Sequence, residues 1–156
     1  DIDTNEVLCT GLSMPHSPRW YQGKLYLHNS GAGEFGYVDF ESKKFVALCF
    51  CPGYLRGLSF VGDFAIAGLS EPRHNKTFSG LPLDDALAKH KVDARCGLQV
   101  IDLRDGSQPH NFKVGGMITE LYDVVAIHNR RSPHVIGTTN DEIHRAININ
   151  KTGFTE

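Results

Sequence analysis

The sequence predicts an all-β fold: four-stranded antiparallel blades, about three of them, making part of a propeller, with a short helix in an insertion. Two observations carry that expectation. An apolar residue followed by aspartate closes a strand-like run at Ile2-Asp3, Val38-Asp39 and Ile101-Asp102, and each copy leads through a polar turn into another apolar run. Between the copies, runs of aromatic and branched residues alternate with glycine-containing turns, the pattern of hairpins. Recurrence of this kind marks units that cannot hide their apolar faces alone and must stack on neighbours.

The first blade opens at Pro18. Arg19-Trp20-Tyr21 and residues 24–28 flank the turn Gln22-Gly23 as two strands, and after the polar stretch 29–33 come a third strand over 35–40 and a fourth over 45–50. The second blade begins near Leu55, with strands over 57–60 and 64–67 around Val61-Gly62-Asp63, a third over 97–103 and a fourth through 112–114. Residues 71–95 interrupt it as an insertion. There Leu83, Ala86, Leu87 and His90 fall at helical spacing behind Pro82, a residue tolerated in a first helical turn. Such an insertion sits at the rim of a repeat fold, where it covers a binding face or packs on its own blade.

A third copy is read as strands over 121–127, 134–138 and 143–149, with no fourth because residues 150–156 are polar. Residues 7–12 supply a fourth strand lacking the first three. Three blades are too few for a ring, which takes about four to eight. The sequence therefore predicts one partial propeller domain over residues 1–156, completed by a homodimeric, head-to-tail partner or by a missing amino-terminal half.

Composition sets bounds on function. With 40% hydrophobic and 22% charged residues, the chain suits one soluble globular unit. A net charge of -2 argues against general attraction to nucleic acid or to acidic membrane surfaces. No run approaches the ~20 apolar residues that cross a bilayer. The chain opens at Asp1 without methionine or a signal-peptide pattern, and reads as a partial chain. Cys9, Cys49, Cys51 and Cys96 show no C-x-x-C spacing, which favours small buried thiols over disulfides or a metal site, and a cytoplasmic location.

The strings GLSMPHSPRWYQGKLYLHNSGAGEFGYVD, CPGYLRGLSF, TFSGLPLDD and CGLQVIDL closely resemble a bacterial family of conserved hypothetical proteins of unknown function. The resemblance covers nearly the whole chain. It implies that this chain corresponds to the carboxyl-terminal half of longer members, and that the fold resembles six-bladed propellers of the NHL and gluconolactonase-like type. It implies no activity.

Familiar catalytic patterns are missing or broken. Gly31-Ala32-Gly33-Glu34-Phe35-Gly36 matches G-x-G-x-x-G, but a strand follows where a dinucleotide site needs a helix, and Cys51 stands where an acid belongs. Asp1, Asp3 and Asn5 begin like a calcium loop, yet Glu6 replaces the turn glycine and Leu12 the bidentate glutamate. Neither H-E-x-x-H nor G-x-S-x-G occurs.

What remains is a polar set at the entry of each blade's first strand: His16, Ser17 and Arg19, then Arg56, then Glu120, Tyr122 and Asp123. Asn29, Ser70 and Asn140 stand near second-strand exits. Two functional readings follow. In the first, the chain is a binding module in which His16, Arg19, Arg56 and Tyr122, with Arg73 and His74 from the insertion, hold a small anionic ligand, or in which the surface meets a protein partner. In the alternative, Glu120, Asp123 and Asn140 hold a divalent metal, calcium, magnesium or zinc, in a lactonase-like hydrolase; no cofactor is required by the first reading. The bland account is that these side chains only tie neighbouring blades together.

Overall fold

The computed structural model describes residues 1–73, 80–133 and 137. The chain divides into two units, Asp1–Ala126 and Ile127–Glu156, and the described elements all belong to the first.

Two antiparallel sheets are built in simple up-and-down order. The first contains β1 (Pro15–Tyr21), β2 (Lys24–Asn29), β3 (Glu34–Asp39) and β4 (Lys44–Phe50); the second contains β5 (Tyr54–Val61), β6 (Phe64–Ser70), β7 (Cys96–Asp102) and β8 (His110–Val114). The two four-stranded groups expected from the hairpin pattern are these two sheets. Their first strands begin earlier than the aromatic run indicates, at Pro15 and Tyr54. Pro18 is accommodated because β1 lies at an edge and its pairing is broken there.

Both first strands carry the same irregularity. In β1 the register slips by one between His16 and Arg19, and in β5 between Leu55 and Leu58. Each slip contains a left-handed residue, Ser17 at φ 53° and Gly57 at φ 78°. Such bulges bend a strand and turn the side chain before them.

The core lies between the sheets. Phe35, Leu55, Leu69 and Ile101 are wholly buried there, beside Tyr26 and Leu58. Each such side chain contributes roughly 1.5–3 kcal/mol relative to leaving it in water. Tyr21 stacks on Phe60 with ring centroids 4.2 Å apart, and its hydroxyl donates to the Gly62 carbonyl at 2.8 Å, joining β1 to the β5–β6 turn.

The apolar–aspartate repeat has a mechanical reading. Asp39 accepts bonds from the backbone N–H and hydroxyl of Ser42, and Asp102 from the backbone and guanidinium of Arg104, so each carboxylate fastens the turn leaving a third strand. Arg104 holds the Asp102 carboxyl down to about 2. At the amino terminus Asp1, rather than Asp3, accepts the equivalent bonds, from the N–H groups of Asp3 and Thr4.

Helix α1 (Pro82–His90) lies in the insertion, as its periodicity predicts. Pro82 opens it, Asp84 and Asp85 face the positive end of its dipole, and Lys89 and His90 face the negative end. Leu83 is completely buried, against Gly33, and His90 stacks on Phe50 at 4.4 Å. The helix thus packs on the end of the first sheet.

Residues 7–12 and 121–127 form no strand, although both were expected to. A strand requires a ladder partner, and the expected strands at 134–138 and 143–149 lie outside the described residues, Gly137 excepted. Residues 119–126 are instead fastened to the second sheet by backbone and hydroxyl bonds. The N–H of Glu71 donates to the Thr119 carbonyl at 2.8 Å, Leu121 N–H to Ser70 Oγ at 2.9 Å and Ala126 N–H to Ser59 Oγ at 3.0 Å. No helix among the described residues is long and apolar enough to cross a membrane.

Candidate functional site

A half-enclosed pocket of about 80 Å³ opens where the starts of β1 and β5 meet the segment at 119–122. Its lining is assembled from equivalent positions of the two sheets. His16 and Arg56 each stand immediately before the left-handed residue of a first-strand bulge. Ser30 and Ser70 each stand at the exit of the second strand, one residue further than Asn29 in the first sheet. Met14 precedes β1 and Tyr54 opens β5, and Glu71, Arg73, Glu120 and Leu121 close the remaining side.

The bulges are held by a small network. Ser17 Oγ accepts the Gly57 N–H at 2.9 Å, and His28 Nε2–H donates to the Gly57 carbonyl at 3.0 Å. A Cβ on Gly57 would come within 2.6 Å of the Asp123 and Val124 backbone. Only glycine therefore lets 123–124 pass this close to β5 while keeping a left-handed φ. Burial pushes the His28 pKa down to about 4, so its ring is neutral, and Nδ1 has no hydrogen-bond partner among the described residues.

Charge is distributed unevenly in the pocket. Arg73 forks onto Glu120, with Nη2 at 2.7 Å from Oε2 and Nε on Oε1, and also donates to the Tyr122 hydroxyl at 3.0 Å. The Arg73 bond holds the Glu120 carboxyl below its ordinary value. Arg56 lies over the Tyr122 ring, 4.6 Å from its centroid, with no carboxylate within ion-pairing reach among the described residues. Cation–π contact orients a guanidinium while leaving its donor edge open. Burial, and then the charge of Arg56, lower the pKa of His16. Ser30 is 1% exposed and its hydroxyl has no partner among the described residues.

Of the polar set read from the sequence, His16, Arg56, Arg73 and Glu120 line this pocket, with Tyr122 against two of the arginines. Arg19 and Asp123 face each other instead, 3.8 Å apart on the open surface, outside the lining. His74 and Asn140 lie outside the described residues. Among the described residues no three histidine, cysteine or acidic side chains gather at metal-binding reach. Ser30, Glu71, Met14 and Tyr54 escaped the sequence reading. The first was legible in principle, since it matches Ser70 by repeat position; the others carry no pattern of their own.

No member of the curated proteins and no solved structure matched the chain. A family model does match, over residues 1–136, most of the length. The chain belongs to the family described as domain of unknown function (DUF4915).

Proposed function

We propose that the chain is a propeller-type binding module whose pocket takes a small carboxylate, anchored on Arg56. The observation that carries this reading is the state of Arg56: a guanidinium held over the Tyr122 ring, lining a pocket, with no carboxylate paired to it among the described residues. A planar fork of donors matches the two oxygens of a carboxylate. Glu71 and Glu120 line the pocket too, so a dianion such as phosphate is repelled more strongly than a singly charged carboxylate.

Isothermal calorimetry and melting curves with acetate, propionate and inorganic phosphate test it. Propionate should raise the melting temperature in a concentration-dependent way. Arg56→Ala should abolish that rise, and a chelator should leave it unchanged. Equal responses of wild type and Arg56→Ala would refute the assignment. A requirement for a divalent cation would favour the hydrolase instead.

A further inference from the structure

The charges that remain after internal pairing specify the ligand more narrowly, on the premise that the carboxylate reading above holds. Arg73, Glu120 and Tyr122 satisfy one another. Glu71 is different. Its backbone N–H is fixed to the Thr119 carbonyl, the residue lines the pocket, and no cation lies within 4.0 Å of its carboxylate among the described residues. Among the described residues the pocket therefore presents Arg56 without a carboxylate and Glu71 without a cation, the two not joined as an ion pair.

We infer that the ligand is a compact zwitterion, a small amino acid in the chemical sense, with its carboxylate on Arg56 and its ammonium on Glu71. A lone half-buried carboxylate loses hydration that a cationic partner restores, and an ammonium with three donors does so best. Of the two serines in the lining, Ser30 has its Oγ closed off from the cavity, and Ser70 Oγ already accepts from Leu121 N–H at 2.9 Å and donates to the Leu121 carbonyl, so recognition falls to the two charges. Size sets a limit: about 80 Å³ is room for about two to three waters at their share of liquid volume, so only a very small ligand fits, with part of it in the open mouth. Met14, Leu55 and Leu121 give the short carbon stem an apolar wall.

The test compares β-alanine, propionate and propylamine by calorimetry at pH 7 on wild type, Glu71→Gln and Arg56→Lys, each first shown to be folded by circular dichroism. Wild type should bind β-alanine at least tenfold more tightly than propionate and should not bind propylamine measurably. Glu71→Gln should erase that preference without weakening propionate, whose charge it no longer repels. Arg56→Lys should weaken both carboxylates. Should propionate bind as well as β-alanine, or Glu71→Gln keep the tenfold preference, the zwitterion assignment is wrong and the carboxylate assignment survives. Binding of none of the three probes would remove both. Glycine and 4-aminobutyrate, run alongside, read the spacing between the two charges.

Discussion

His28 is a titratable residue held away from water. It is buried, neutral, and bonded through Nε2–H to Gly57. Its pKa falls from the model-peptide value near 6.5 to about 4 on folding. The unfolded chain then binds a proton that the folded chain refuses, so stability is full above about pH 6.5 and drains as pH falls towards 4. The loss amounts to about 3 kcal/mol. Urea unfolding at pH 7 and pH 4 should show a drop in His28→Gln that is smaller by about that amount, because glutamine keeps a donor and does not titrate; equal drops would sink the assignment. A histidine inside a strand run reads from sequence as one more polar residue. Its partner is the carbonyl of a residue 29 positions away, and nothing local in KLYLHN announces it. Arg56 and His16 were legible as candidates because they precede the aromatic runs. Ser30 was passed over for Asn29, whose side chain is spent on Ser13 N–H and Glu34.

At the scale of elements, the paired bulges and the inserted helix carry separate predictions. Gly57 packs against the Asp123–Val124 backbone at a left-handed φ. Gly57→Ala should therefore cost about 1–3 kcal/mol in denaturant unfolding. It should also weaken carboxylate binding, because relief of the clash moves 121–124 away from the pocket. A neutral substitution would show that the segment does not rest on β5. Leu83 is the one fully buried side chain of α1. Leu83→Ala should destabilise by about 2–5 kcal/mol, or release the helix so that brief proteolysis cuts within 80–92. None of the helix side chains lines the pocket, so carboxylate affinity of the folded variant should stay within about twofold. The helix was readable because its spacing and Pro82 agree. The bulges were not: a one-residue slip leaves no compositional trace when one copy uses Gly57 and the other Ser17.

For the whole described unit, the two sheets bury a shared core and are joined by Tyr21 on Phe60. They should unfold together. The sole tryptophan, Trp20, sits in the first sheet, so its fluorescence should follow the same urea midpoint as far-ultraviolet circular dichroism. Two separated midpoints would show that the sheets are independent. The count and order of strands in both sheets were legible because hairpins are local, each strand pairing with the next in sequence. The third copy was less so, since an apolar run such as 121–127 becomes a strand only if a neighbour offers a ladder. The paired slips in β1 and β5 have one more consequence. Because each sheet lends the pocket a single side chain from the same place, His16→Arg combined with Arg56→His would preserve the inventory of groups while moving the cation from one wall to the other. Ligand choice in this architecture is a matter of permutation, adjustable without disturbing a single core residue.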